Sequence, residues 1–218
     1  MRRVAHNVFY NDGKLYTKNL VPGKKVYGEN LVQSKFGELR QWDPYRSKLA
    51  AAVLNGLKQF PFDSKSNILY LGAAQGTTAS HLSDIADKGS VICVEISQKA
   101  MEKLVPLCES RPNMMPILGD ANKPGSYSAE AYNANSIYQD VAQKYQAKIL
   151  LKNSCLLEPG DYSILCIKSR SIDTARKPEE VIKEELENVS DGFFVKQSIH
   201  LEPYDKDHAL VLCEKKLS

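Results

Sequence analysis

Three short stretches of this chain carry residue types that could hold and work on a small charged ligand. They are "NILYLGAAQGTT" (67–78), "VICVEIS" (91–97) and "ILGDA" (117–121). In the first, an apolar run ends in Gly72, Ala73, Ala74 and Gly76, followed by Thr77 and Thr78. Side chains this small let a ligand approach the main chain, and a helix starting there offers unpaired N–H groups. Glu95 ends the second stretch, where it can accept from ribose hydroxyls. Asp120, beside Ala121, ends the third, where it can accept from an adenine amino group. A dinucleotide fold would ask for G-x-G-x-x-G to cradle a pyrophosphate. Here the spacing is Gly72-x-x-x-Gly76, without the middle glycine, which sets a nicotinamide-dependent oxidoreductase well behind. A site for S-adenosylmethionine needs small residues and two carboxylates but no phosphate cradle, and it agrees with all three stretches.

These residues need elements to place them. Strands are expected at Ile68–Leu71, Val91–Glu95, Met115–Leu118, Ser136–Gln139 and Tyr162–Ser169, and helices between them at Thr77–Asp87, Gln98–Ser110, Ala142–Asn153 and Pro178–Asn188. Such alternation predicts a mostly parallel α/β sheet with helices on both faces, its ligand crevice beyond the carboxyl ends of the strands. The chain closes on two β-rich runs around "EPYDKD", which predicts a hairpin adding an antiparallel edge. Residues 7–33 read as short hairpins turning at "NDG" and "PGK". From Asp43, as N-cap, and Pro44, as first helical residue, "DPYRSKLAAAVLNGLKQF" takes on helical periodicity. The domain reading is therefore a small β-rich unit at 1–42 and an α/β unit at 43–218.

Composition excludes several classes. No apolar run approaches the roughly 20 residues that span a bilayer, and no apolar stretch follows Arg2 and Arg3 as in a signal peptide, so a cytoplasmic protein without membrane partners is expected. Five scattered cysteines without a C-x-x-C pair predict reduced thiols and indicate no metal site. Residues 1–48 hold ten Lys or Arg against four Asp or Glu, whereas the remainder is acidic, 22 against 19. A local basic excess suits either a polyanion-binding face or a merely solvated one.

The wording of several segments adds more. "YLGAAQGTTASHLSDI" (70–85), "VEIS" (94–97), "GDA" (119–121), "IYQDVAQ" (137–143), "IKSRSID" (167–173) and "LEPYDKDHALV" (201–211), with "WDPYRSKLAAA" (42–52), resemble the fibrillarin family in order along nearly the whole chain. The resemblance is to the short archaeal type, without a glycine–arginine-rich tail. It implies a Rossmann-like S-adenosylmethionine-dependent methyltransferase fold that methylates ribose 2′-hydroxyls of rRNA, and in archaea pre-tRNA. Sites would be chosen by a box C/D guide RNA, in a ribonucleoprotein with a Nop-family scaffold and a kink-turn-binding ribosomal-type protein. The isolated chain is expected to be nearly inactive. Cofactor contacts are implied at Gly72, Ala73, Ala74, Gly76, Thr77, Thr78, Glu95, Ile96, Asp120, Ala121, Asp140 and Gln143.

The family's catalytic set of lysine, aspartate, lysine and histidine maps onto Lys48, Asp140, Lys168 and His208. On this reading Asp140 holds a lysine ammonium and helps fix the methyl group, while Lys48 and His208 orient the ribose and the lysine. Lys168 binds the hydroxyl, either as a neutral base or as a charged positioning group. Arg46 and Arg170 are the implied RNA contacts. The chain departs from the family at Gln75, commonly Ser, at Ile96, commonly Phe, and at Asn135, commonly Asp; the first two bear on cofactor affinity. Two other readings compete with the RNA methyltransferase: a non-catalytic ribonucleoprotein scaffold and a methyltransferase for a protein glutamine.

Overall fold

The computed structural model describes residues 1–217. Its larger sheet has seven strands: β6 (Asn67–Leu71), β7 (Ser90–Glu95), β8 (Met114–Leu118), β9 (Ser136–Gln139), β10 (Tyr162–Lys168), β11 (Phe193–His200) and β12 (His208–Lys215), in the order β11-β12-β10-β9-β6-β7-β8. The first five run parallel, and β12 pairs antiparallel with both β10 and β11. Strand order reverses between β6 and β9, so the crevice opens where Leu71 and Gln139 end.

The period of two in the strands divides the core between the two faces. Ile68, Tyr70, Cys93, Tyr138, Ile164 and Cys166 point to one side. There they meet α1 (Lys48–Leu54), α2 (Thr77–Ile85) and α3 (Gln98–Glu109) through Ala51, Leu82 and Leu104. Leu69, Leu71, Val94, Ile137, Leu165 and Ile167 point to the other, against Ile149 of α4 (Gln146–Asn153) and Ile182 of α6 (Pro178–Val189). A one-turn helix α5 (Ser169–Ile172) follows β10. The cysteines are free thiols. Among the described residues, no helix is long and apolar enough to cross a membrane.

A second sheet holds β1 (Arg2–Ala5), β2 (Val8–Asn11), β3 (Lys14–Lys18), β4 (Leu31–Ser34) and β5 (Gly37–Trp42) in the antiparallel order β1-β2-β3-β5-β4. The "NDG" hairpin forms as expected, with Asp12 and Gly13 at positive φ (48° and 77°), the geometry of a two-residue hairpin turn. The expected "PGK" hairpin does not form, and residues 19–30 contain no strand. Several of their N–H groups go to side chains instead. Val26 and Tyr27 donate to the Glu29 carboxylate and Gly23 donates to Glu38.

Two helices begin later than the periodicity suggested. Asp43 does not cap α1; its carboxylate accepts from Tyr45 N (2.9 Å) in a turn, and Ser47 Oγ caps the helix by accepting from Ala50 N (3.5 Å). Helix α4 starts at Gln146 rather than Ala142. Buried Gln146 has its side chain engaged elsewhere, accepting from Lys168 N (2.9 Å) and donating to Gln143 O (3.0 Å), which holds residues 140–145 as an open loop.

Candidate functional site

Gly72 is where the crevice begins, and its lack of a side chain has a definite cause. Its φ is +81°, and a Cβ there would lie 2.9 Å from the carbonyl oxygen of Asp140. The glycine thus lets the end of β9, with Asp140, close against the first loop. Asp140 N donates to Leu71 O (2.9 Å) and Gly72 N to Val94 O (2.9 Å), so three strand ends are tied at one point. Gly76 has a different reason: its φ is +86°, and a Cβ there would strike the Leu107 side chain of α3.

A cavity of about 290 Å³ lies over these strand ends. Of the residues expected to contact a cofactor, Gly72, Ala74, Glu95, Ile96, Ala121, Asp140 and Gln143 line it. Val94, Gly119, Val141, Ala142 and Lys168 line it as well. All but Lys168 had escaped the sequence reading as cavity residues, though they sit within one or two positions of residues it named. Asp120 stands behind the wall, its Oδ1 accepting from Asn122 N (2.9 Å) and Gln143 Nε2 (3.4 Å). The backbone hydrogen bond from Asn122 is the first cause of its lowered pKa. Ala73 is buried in the core, and Thr78 donates to Ser47 Oγ (3.0 Å). Thr77 and Gln75 line a neighbouring groove of about 590 Å³ with Lys25, Arg46 and Lys103. Asn135 lies at the far end of the sheet, where its Oδ1 accepts from Asn67 N.

The residues present fit an adenosyl sulfonium ligand. Glu95 is buried, and its two oxygens accept from Ala74 N (2.7 Å) and Ser97 N (2.8 Å). Each oxygen keeps a lone pair for a ribose hydroxyl. Ile96 is 57% exposed beside it, an apolar face open to a flat ring. Gly72 and Gly119 offer bare main chain along the wall.

At the mouth, all four residues of the expected catalytic set converge. Lys168 Nζ donates to Asp140 O (2.8 Å) and lies 2.9 Å from Asp140 Oδ1. Lys48 Nζ lies 3.2 Å from the same Oδ1 and 3.4 Å from Asp205 Oδ2. His208 faces Lys168 directly across the antiparallel β10–β12 register, so their side chains share a face. Its Nδ1 contacts Asp205 Oδ1 at 2.5 Å. Burial works to lower the Lys48 pKa, but the Asp140 carboxylate, with help from Asp205, outweighs it and holds the ammonium above its ordinary value. Asp140 Oδ1 is buried without an aligned hydrogen bond, so its charge is balanced while its lone pairs are not all used. Asp205, which the sequence reading did not name, thus completes the group. Beneath it lie Tyr70 and Tyr138, edge to face at 4.7 Å, and the Cys166 thiol, which burial pushes up to about 12.

The two expected RNA contacts differ. Arg46 is exposed, its guanidinium 5.5 Å above the Tyr27 ring. Arg170 is half exposed, and its Nε is held by Asp207 Oδ2 at 3.1 Å. The basic excess of residues 1–48 also divides: Arg40 is fully buried and Lys48 sits in the cluster, while the remaining eight cations are exposed.

Comparison with known proteins agrees with this geometry. The fibrillarin family profile matches residues 2–217. A protein of Thermococcus sibiricus named fibrillarin-like rRNA/tRNA 2′-O-methyltransferase is 50% identical over 215 residues, covering 97% of this chain and 95% of the relative. The crystal structure of Aeropyrum pernix fibrillarin with natively bound S-adenosyl-L-methionine superposes with a TM-score of 0.85 at 44% identity, over 92% of this chain and 88% of that one. Fibrillarin from a fibrillarin/Nop5p complex superposes with a TM-score of 0.90 at 39% identity, over 98% and 100% of the two chains.

Proposed function

The chain belongs to the fibrillarin family, and on that premise we propose that it methylates ribose 2′-hydroxyls of rRNA and pre-tRNA with S-adenosylmethionine. It does so as the catalytic subunit of a box C/D ribonucleoprotein with a Nop-family scaffold and a kink-turn-binding protein. Residues 43–218 form the transferase domain and residues 1–42 a basic accessory domain. A chain of the archaeal type would work in the cytoplasm, where its RNA substrates are made. The observation that carries the reading is Asp140, gripped by two lysine ammonium groups at the open end of a cavity walled by glycine main chain and Glu95.

The cofactor, when bound, supplies a methyl group already activated on a sulfonium. What remains for the protein is alignment, which can be worth about 7–11 kcal/mol. Glu95 takes the ribose hydroxyls, Ile96 and Ala121 border the adenine, and Gln143, held from behind by Asp120, meets its edge. Asp140 orients the two lysines and sets a negative charge beside the sulfonium. Lys168 donates one N–H to Asp140 O, pairs with its carboxylate by charge, and has N–H groups left for the 2′-oxygen, fixing that oxygen in line with the methyl carbon. Lys48 keeps its charge under the pull of Asp140 and braces the carboxylate from the other side.

Substrate choice follows from the same surface. An A-form duplex displays its 2′-hydroxyls in a wide, shallow minor groove, so a paired target can be reached without unstacking. Lys25, Arg46 and Lys103 along the neighbouring groove, and Arg170 when Asp207 releases it, contact phosphates and carry no sequence information. Guide pairing supplies that information instead.

The test is transfer of radiolabelled methyl to a short RNA by the protein reconstituted with scaffold, kink-turn binder and guide, beside Asp140→Ala. Label at one guide-specified 2′-hydroxyl, lost in the variant and lost without guide, is the expected result. Cofactor binding without any transfer would leave the scaffold role in its place.

A further inference from the structure

Asp205 has been given no role in the transfer so far, yet it touches two residues of the catalytic set. It sits in the loop between β11 and β12, where Oδ2 faces Lys48 Nζ at 3.4 Å and Oδ1 meets His208 Nδ1. A carboxylate can only accept, so the ring nitrogen facing it must carry the proton. In a neutral imidazole the other nitrogen, Nε2, is then the acceptor. Among the described residues, Nε2 makes no hydrogen bond within the protein. The strand register sets His208 opposite Lys168, whose ammonium group is already tied to Asp140. The ring therefore shares the face of the sheet on which the 2′-oxygen has to sit.

We propose that Asp205 is a positioning residue for methyl transfer, its carboxylate locking His208 as the Nδ1–H tautomer so that Nε2 receives the 2′-hydroxyl proton. The inference rests on the ribose methyltransferase reading and supplies the proton acceptor which that reading lacks. As the new bond forms between the 2′-oxygen and the methyl carbon, the bond from methyl to sulfur breaks and its electron pair stays on sulfur as a neutral thioether. The hydroxyl proton passes to His208 Nε2, and the imidazolium so formed is stabilised by Asp205, as in other acid–histidine pairs. The same carboxylate anchors Lys48, which braces Asp140, so the proton acceptor and the aligning lysines are held in one chain of contacts.

Several charged groups stand around His208. Asp205 contacts it, Lys168 of β10 lies across the strand pair, and Lys48 of α1 and Asp140 at the end of β9 belong to the same cluster. Glu202 and Asp207 in its own loop and Arg170 of α5 are engaged with one another, Glu202 accepting from Asp207 N and Asp207 pairing with Arg170. The neighbour Asp207 does not duplicate Asp205. It adopts a φ of 60° and turns to Arg170, while its main-chain oxygen accepts from Ser169 Oγ at 2.7 Å.

The experiment compares the reconstituted complex carrying wild-type chain, Asp205→Asn and Asp205→Glu. Single-turnover methylation is followed from about pH 5 to 8 at saturating cofactor and RNA, where His titrates. Nitrogen-15 NMR of the free chain, assigned with His208→Gln, reads the imidazole tautomer. Asp205→Asn is expected to slow transfer about 100-fold and to move its acid limb to lower pH, with cofactor and RNA affinities unchanged. Asp205→Glu is expected to recover most of the rate, and the wild-type ring to show Nδ1–H. Wild-type rate and pH profile in Asp205→Asn would overturn the proposal, as would an Nε2–H tautomer in the wild-type chain or an effect confined to cofactor binding. Should Asp205→Asn fail to fold, the glutamate variant and the wild-type tautomer still decide. Should the wild-type complex transfer no methyl at all, the methyltransferase reading fails by itself, and the NMR result stands apart from it.

Discussion

The molecule holds two clusters of alternating acids and bases, and they differ in one respect that decides their roles. The first joins the N-terminal sheet to α2. There Arg40 Nε donates to Glu29 (2.7 Å), Nη1 to Asp84 (2.9 Å) and Nη2 to Ser80 Oγ (2.9 Å), and Arg111 donates to the other Asp84 oxygen (2.8 Å). Thr17 and the Leu20 N–H occupy the remaining lone pairs of Asp84. The side chains of these ion pairs are at most 1% exposed. The second cluster, Lys48–Asp140–Lys168 with Asp205 and His208, leaves 16% to 32% of each side chain exposed, a lysine N–H unused and an imidazole nitrogen open. A sealed and nearly saturated network can only hold the fold together. One that is charge-balanced but unsaturated, at the rim of a cavity, still has donors and acceptors for a substrate.

Parallel substitutions would test that contrast most sharply. Arg40→Met leaves Glu29 buried without its cation, and it should cost about 3–5 kcal/mol of stability, measured by urea unfolding, with cofactor affinity of the folded fraction unchanged. Lys48→Met removes the cation between Asp140 and Asp205 where water can reach both. Stability should fall by only about 1 kcal/mol, while methyl transfer by the reconstituted complex falls about 10²–10³-fold. If the two variants behaved alike, the distinction between the clusters would collapse.

A smaller effect sharpens the cavity side. In Glu95→Gln an amide NH₂ must face one of the two N–H donors of Ala74 and Ser97. The dissociation constant for S-adenosylmethionine should rise about 10- to 100-fold, the loss of a charged hydrogen-bond acceptor, read by calorimetry at nearly constant melting temperature.

The gentlest probe is acid. His81, stacked on Trp42 at 5.1 Å within the sealed cluster, is held well below its ordinary 6.5, first by burial and then by the charges of Arg40 and Arg111. A depressed folded pKa means that the unfolded chain binds the proton first. The stability this histidine contributes is therefore complete above about 6.5 and declines as the pH falls from there toward its folded value. Glu29 is also depressed: burial opposes this, but Arg40 prevails, so its contribution is lost only below about its ordinary 4.5. Urea midpoints from pH 7.5 to 3 should fall in two stages, and His81→Asn should remove the first.

How far the site was readable varies residue by residue. The strand–loop–helix units around Gly72, Glu95 and Asp120 were legible because apolar runs and small residues announce them locally. The late starts of α1 and α4 were not, since periodicity continues through residues whose N–H and side-chain groups are claimed by other segments, Asp43 and Gln146 among them. The basic excess of residues 1–48 could be counted but not sorted, because Arg40 owes its burial to Asp84, 44 positions away. Asp205 and Asp207 stand at equal ease beside His208 in the sequence, and only the loop's turn at Asp207 assigns one to the histidine and the other to Arg170.

By itself, then, the sequence determined the family, the alternating α/β order and the crevice loop, and it singled out Lys48, Asp140, Lys168 and His208 as a set, since each is written in a contiguous motif. The tertiary structure alone decided that Gly72 makes room for Asp140 as well as lining the cavity, that Arg40 is sealed while Lys48 is not, and that Asp205 links lysine to histidine. Those outcomes depend on how closely segments far apart in the chain approach, and on how much water is left between them. No local pattern encodes either quantity.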